Sequence, residues 1–75
     1  MLGKSYKKEL IVEGMHCNHC ANKVIEALQN IKDVKKVKID LSKKSVIVIS
    51  KIEISNDIIK NKIEDLEYKV IEILE

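Results

Sequence analysis

Apolar and polar residues alternate in the first part of the chain and then recur with helical spacing. Across residues 8–13, Leu10 and Val12 fall on one side of an extended chain and charged residues fall on the other, which is typical of a half-buried strand. Gly14 ends this pattern. The next apolar positions follow the i, i+3, i+4, i+7 spacing of an amphipathic helix, for which Asn18 is a suitable cap; they are Val24, Ala27, Leu28 and Ile31.

The second half of the chain repeats strand and helix patterns in a different order. Alternation resumes from Asp33 to Leu41, and a polar turn over residues 42–44 leads into an apolar strand at residues 45–50, which predicts a hairpin. Ser55 marks the start of a second helix, with Ile59, Ile63 and Leu66 at helical spacing, and residues 68–74 are rich in strand formers. The predicted order is βαββαβ.

This order predicts an α+β fold of the ferredoxin-like type, an open-faced sandwich in which two helices cover one face of a four-stranded antiparallel sheet. Residues 1–75 contain no proline, repeat or linker, so we expect a single domain. Ile11, Ile47 and Ile49 fall on the predicted open face. They form either an association surface or the scattered exposed apolar residues of an ordinary surface.

Composition narrows the classes of function. The 75 residues include 14 Lys and Arg against 12 Asp and Glu, for a net charge of +2, and this mixed surface does not indicate nucleic-acid binding. An open face without aromatic residues also argues against an RNA-binding sheet. No window approaches the ~18 apolar residues of a membrane span, and no secretory signal precedes the first strand, so we expect a cytoplasmic protein without membrane insertion.

Both cysteines of the chain, Cys17 and Cys20, lie three positions apart where the first helix begins. The partial positive charge of a helix N-terminus favours thiolates, and two thiolates are soft ligands suited to Cu(I), whereas a structural Zn(II) site normally needs four ligands. A disulfide between them would close a very short loop and stabilise little. An open two-sulfur site also allows an incoming thiolate to join the metal before an original ligand leaves.

Three motifs resemble those of the heavy-metal-associated domain family, most closely its small bacterial copper chaperones: Gly14-Met15-x-Cys17-x-x-Cys20, Val34-x-x-Val37 and Leu66-x-Tyr68. The resemblance implies that Cys17 and Cys20 bind Cu(I), that Met15 is a buried tether for the loop rather than a thioether ligand, and that Tyr68 lies over the metal site. It implies a non-enzymatic carrier that delivers copper to a copper-transporting P-type ATPase.

Two positions depart from the pattern of that family. His16 stands where copper-handling members commonly have Thr or Ser, and Glu67 stands where Gly usually precedes the tyrosine. His16 is either a solvated loop residue or an additional metal contact, which would open the site to Zn(II), Hg(II) or Cd(II). If the last loop needs a left-handed backbone, Glu67 is strained there in a way that Gly is not.

Other interpretations remain open at the level of sequence. The chain could be the isolated metal-binding domain of a metal-transport ATPase, although a start at Met1 and an end after the last strand favour a free-standing protein. A thiol-disulfide redox module is disfavoured because such sites generally have a proline beside the cysteine pair. Two exposed loops could also share metal through four thiolates, which predicts a metal-bridged homodimer.

Overall fold

The structure is a computed structural model that describes residues 5–74. Its six elements, in chain order, are β1 (Tyr6–Glu13), α1 (Asn18–Gln29), β2 (Val34–Asp40), β3 (Ser45–Ser50), α2 (Asn56–Glu64) and β4 (Lys69–Leu74). This order confirms the predicted ferredoxin-like βαββαβ fold. Over the described part of the chain, neither helix is long and apolar enough to cross a membrane.

The four strands form one sheet in the order β2-β3-β1-β4, and each neighbouring pair is antiparallel. Strand β1 is therefore central, and its Glu9 lies opposite both Ile47 of β3 and Leu74 of β4. β4 carries one extra residue opposite the Ile11–Val12 step of β1. Because β1 is hydrogen-bonded on both sides, the loop that leaves its C-terminal end starts from a fixed position.

The core is aliphatic, as the composition predicts, and lies between one face of the sheet and the two helices. Its fully buried side chains from the sheet are Leu10, Val12, Val46 and Val48, and those from the helices are Val24, Leu28, Ile59 and Ile63. Burying each such side chain contributes roughly 1.5–3 kcal/mol relative to leaving it exposed. Met15 belongs to the same cluster, so the core reaches into the loop between β1 and α1.

The two helices begin in different ways. Ser55 caps α2 as predicted, because its side-chain oxygen accepts a hydrogen bond from the backbone N–H of Asp57 at 3.2 Å. The predicted cap of α1 is wrong: Cys17 is the N-cap, and Asn18 is already the first helical residue. The carbonyl of Cys17 accepts the first helical bond, from the N–H of Ala21 at 3.1 Å, and no side chain caps this end.

A buried lysine is the main feature of the core that the apolar pattern does not reveal. Lys8 lies on the core side of β1 and is 8% exposed. Its amino group donates to the carbonyl of Ile54 and, at 2.5 Å, to Oδ1 of Asn56. These bonds tie the central strand to the start of α2, at the end of the sheet away from the cysteine loop.

Candidate metal site

The loop between β1 and α1 turns sharply at Gly14, whose φ of +106° lies in a region that side chains rarely adopt. The ring of Tyr68 packs directly on this glycine: a Cβ placed at Gly14 would lie 2.8 Å from Cδ1 of the tyrosine. Glycine is therefore required here for two reasons, its backbone conformation and its missing side chain. Both allow the last loop of the chain to close over the first.

The two cysteine sulfurs lie close together at the start of α1. Cys17 is the N-cap, in an extended conformation, and Cys20 is in the first helical turn. Their Sγ atoms are 3.7 Å apart, with the Cys17 thiol donating to Cys20. Cys17 is exposed and Cys20 is partly buried, and both are free of disulfides. The convergence of the two sulfurs that the spacing predicts is therefore present in the structure.

The surroundings of Cys20 favour its thiolate. The Tyr68 hydroxyl, which hydrogen-bonds to the sulfur, makes the largest contribution to lowering the pKa of Cys20. The backbone N–H of His16, the thiol of Cys17 and the backbone N–H of Cys17 lower it further, while burial opposes them. Hydrogen bonds to a charged form stabilise that form, and the thiolate is the form of cysteine that binds metals and acts as a nucleophile.

Tyr68 responds in the opposite direction. Its hydrogen bond to Cys20 and, secondarily, its burial and the nearby sulfur charges raise the pKa of its hydroxyl. A phenol that donates to a thiolate holds its proton more firmly, so the two shifts describe one interaction seen from its two partners. The structure thus places Tyr68 beside the cysteine pair, and its role over a bound metal stays a prediction.

Met15 and His16 are adjacent in the loop but point into different surroundings. Met15 is 5% exposed and packs in the core, whereas His16 is exposed. His16 lines a cavity of about 380 Å³ beside the loop, together with Glu13, Gly14, Met15, Lys44, Glu67 and Lys69. The burial of Met15 fits a tether that holds the loop against the core.

No third metal-binding side chain joins the two sulfurs within residues 5–74. Among these residues, the structure contains no group of three or more His, Cys, Asp or Glu side chains placed to hold a metal ion. A contact between His16 and a bound metal therefore stays a prediction. The donor set that the fold itself assembles consists of two sulfurs with open space beside Cys17.

The backbone of the loops around the cysteine pair could be predicted only in part. The strain suspected at Glu67 is present, since its φ is +70° immediately before Tyr68. The backbone N–H groups of His16 and Cys17 donate to Cys20, and the sequence did not predict these two bonds, because every residue type has such a group. The sequence could indicate only that unpaired N–H groups occur at the start of a helix.

Comparison with known proteins identifies the family. Residues 9–69 match the sequence model of the heavy-metal-associated domain. The chain belongs to the heavy-metal-associated domain family. This match covers α1, β2, β3 and α2 completely, β1 from Glu9 onward, and only the first residue of β4, Lys69.

Two curated relatives are bacterial proteins named copper chaperone CopZ. The protein from Enterococcus hirae is 48% identical over 42 residues, which cover 56% of this chain and 61% of that protein, less than two thirds of its length. The protein from Staphylococcus haemolyticus is 39% identical over 64 residues, covering 84% of this chain and 94% of that protein.

A solved structure has the same fold at similar size. It is the N-terminal domain of a potential copper-translocating P-type ATPase from Bacillus subtilis in the Cu(I)-loaded state. The two structures superpose with a TM-score of 0.82 at 28% identity, over 89% of this chain and 85% of that domain. Proteins similar to this chain thus include both copper chaperones and an ATPase domain, and fold alone does not separate them.

Proposed function

We propose that this protein is a Cu(I) metallochaperone that binds one ion through Cys17 and Cys20 and passes it by thiolate exchange to a copper-transporting P-type ATPase. The observation that carries the proposal is the pair of sulfurs 3.7 Å apart with one exposed side. The names of the relatives and of the Cu(I)-loaded domain support copper as the cargo.

The donor set suits Cu(I) better than a metal that requires four ligands. Thiolates are soft ligands, and only two are gathered within residues 5–74. With metal–sulfur bonds of about 2.3 Å, two sulfurs on opposite sides of an ion would be about 4.6 Å apart. The 3.7 Å between the metal-free thiols lies within this span, so both sulfurs can reach one ion, and the exposed side of Cys17 leaves room for a third sulfur.

The unequal surroundings of the two cysteines suggest an order of exchange. Cys20 is held by Tyr68 and by two backbone N–H groups, whereas Cys17 is exposed. An incoming thiolate from the ATPase forms its bond to copper on the open side, and the Cys17–copper bond breaks first. Cys17 takes up a proton, a second incoming thiolate then displaces Cys20, which is protonated in turn, and copper stays in the +1 state throughout.

The central test is an anaerobic Cu(I) titration against a competing chelator under reducing conditions. We expect about one Cu(I) per chain, and we expect the binding to disappear in the double variant Cys17→Ser with Cys20→Ser. The variant Asn18→Ser, which changes an exposed residue between the cysteines, is the matched control and should bind normally. Unchanged binding in the double cysteine variant would refute the proposal.

Selectivity is tested by competition between metals. X-ray absorption of the loaded protein should report sulfur ligands alone for Cu(I). If Zn(II) displaces Cu(I) at equal concentration, or if His16→Ala removes Zn(II) binding selectively, the cargo is Zn(II) or a related ion such as Cd(II) or Hg(II). Turnover in an insulin-reduction assay would instead indicate a thiol-disulfide redox module.

Delivery is a separate step with its own test. Copper-loaded chain is mixed with the apo N-terminal domain of a copper ATPase, and the metal content of each is measured after separation. We expect copper to be shared within seconds, and we expect a cysteine-free ATPase domain to receive none. Retention of all copper by the donor at equilibrium would contradict a carrier role.

A further inference from the structure

The open face of the sheet carries an ordered charge pattern that the proposed function does not use. Alternate residues of the four strands point away from the helices, and the strand register aligns them in rows. Lys36, Ile49 and Lys7 form a basic row at the end far from the cysteine loop. Asp40, Ser45, Ile11 and Glu72 form an acidic row nearer to the loop.

A middle row lies between these two rows. Two of its four positions are apolar, and its residues are Lys38, Ile47, Glu9 and Leu74. Leu74 is 41% exposed, and the three isoleucines of the face, Ile11, Ile47 and Ile49, are only partly buried. The face thus has a positive end, a negative end and a middle row that combines two apolar residues with one lysine and one glutamate.

We propose that this face binds the same face of a second copy of the chain in a weak dimer that forms without metal. The two faces pack against each other, and the two-fold axis lies between them, perpendicular to the strands and over the middle row. This symmetry places the basic row of each copy on the acidic row of the other. Lys36 then faces Asp40 of the second copy, and Lys7 lies near Glu72. An axis along the strands would place like charges together, so the charge pattern selects the first arrangement.

The area of the face predicts that the dimer is weak. Four strands spaced about 4.8 Å apart, each contributing seven residues of about 3.3 Å, cover about 440 Å² per copy. A stable interface usually needs about 800 Å² per partner. We therefore expect dissociation constants of hundreds of micromolar and association that weakens as salt is added.

Some charges near the acidic row oppose this association. Lys43, in the turn after β2, lies close enough to Asp40 to contribute to the lowered pKa of that carboxyl, whose main cause is the Ser42 hydroxyl. Glu13 and Lys69, opposite each other beyond the row, cancel. In the middle row each residue meets its own counterpart at the axis, so Glu9 faces Glu9 and Lys38 faces Lys38, and these two like-charge pairs further limit affinity.

The arrangement leaves both cysteine loops accessible. Each loop follows the C-terminal end of β1, beside the acidic row, so the antiparallel stacking puts the two loops at opposite ends of the dimer. This dimer differs from a metal-bridged one, in which the loops must meet. It is therefore independent of Cys17 and Cys20, and its failure would leave the copper proposal untouched.

The test is a sedimentation and dilution-NMR series on the apo protein with a chelator present, up to about 1 mM at low salt. We expect the wild type and the Cys17→Ser, Cys20→Ser variant to associate equally. The variants Lys7→Glu with Lys36→Glu, and Asp40→Lys with Glu72→Lys, should each associate at least tenfold more weakly, because both ends then carry the same sign.

Complementation provides the decisive result. An equal mixture of the two charge-reversed variants should associate again, since each end now meets its opposite. Glu9→Gln should tighten the wild-type dimer, because it removes a repulsion at the axis. Lys60→Glu with Lys62→Glu on the exposed side of α2 makes the same charge change off the face and should leave association unchanged.

Three results would overturn the proposal. The first is a wild type that stays monomeric at 1 mM. The second is a mixture of the charge variants that fails to associate, and the third is Glu9→Gln without a gain in affinity. Circular dichroism of every variant confirms that each is folded before its association is compared.

Discussion

Substitution of Gly14 by alanine tests how the first and last loops hold each other. Two separate costs follow from the structure. A residue with a side chain at a φ of +106° is strained by about 1–3 kcal/mol. The added Cβ would also lie 2.8 Å from the ring of Tyr68, and relieving such overpacking costs about 1–3 kcal/mol.

The sum, about 2–6 kcal/mol, is large for a chain of this length. At 0.05–0.15 kcal/mol per residue, the free energy of unfolding of 75 residues is about 4–11 kcal/mol. We expect a loss near 3 kcal/mol, which lowers the melting temperature by about 12–24 °C. Urea unfolding of the metal-free, reduced protein measures the loss directly.

A double-mutant cycle separates the two costs. In a Tyr68→Ala background the ring is absent, so Gly14→Ala should cost only the backbone strain, about 1–3 kcal/mol. The difference between the two backgrounds is the steric term. If Gly14→Ala costs the same in both backgrounds, the ring does not press on the glycine and the reasoning is refuted, as it is by a loss below 0.5 kcal/mol.

Three further predictions concern single residues. Glu67→Gly should stabilise the fold by about 0.5–1 kcal/mol, since it relieves about 1–2 kcal/mol of left-handed strain and loses part of this to the entropy of the unfolded glycine. The control variant Glu64→Gly, at a helical position in α2, should instead destabilise the fold by about 1 kcal/mol. Urea unfolding measures both glycine variants, and a change of stability in the same direction for the two would contradict the prediction. Tyr68→Phe should raise the pKa of Cys20, seen as a shift to higher pH in thiolate absorbance and alkylation rate, and an unchanged profile would mean that the hydroxyl is not the main cause. Because folding lowers the pKa of Cys20, its thiolate adds to the free energy of unfolding at pH values above the pKa of an unfolded cysteine. This contribution is lost as the pH falls through the pKa of Cys20 in the folded protein. Tyr68→Phe should therefore make the free energy of unfolding depend less on pH in this range. Lys8→Met should cost about 1–3 kcal/mol in urea unfolding, because the carbonyl of Ile54 loses its buried donor, and a neutral result would show that the methionine stem replaces the bond fully.

The fold was predictable because its core is built from regularly spaced aliphatic residues. Leu10 and Val12 alternate on β1, Val24 and Leu28 are four apart on α1, and each is fully buried. Strand and helix periods leave little freedom when nearly all apolar residues obey them. The same pattern explains why element order was confirmed in full.

Lys8 escaped this reasoning because its position and its chemistry disagree. The alternation of β1 places residue 8 on the same side as Leu10, yet a lysine at the start of a strand is usually assigned to solvent. Its burial depends on two acceptors, Ile54 and Asn56, almost fifty positions later in the chain. No local pattern can reveal acceptors at that separation.

The start of α1 was misassigned for a related reason. Asn18 has the better capping side chain, but the carbonyl of Cys17 accepts the first helical bond. The sulfur of Cys17 lies against Cys20 instead of capping the helix. Capping preference was therefore overridden by the arrangement of the cysteine pair, and α1 begins without a side-chain cap.

The groups that set the pKa of Cys20 come from opposite ends of the sequence. Tyr68 follows α2, whereas His16 and Cys17 precede or begin α1, and they meet because β1 and β4 are neighbours in the sheet. Partial opening of β4 would therefore remove the hydroxyl from the sulfur while leaving the cysteine pair intact. Thiolate reactivity of Cys20 thus reports the docking of the last strand, and substitutions that loosen β4 should raise its pKa without touching the loop.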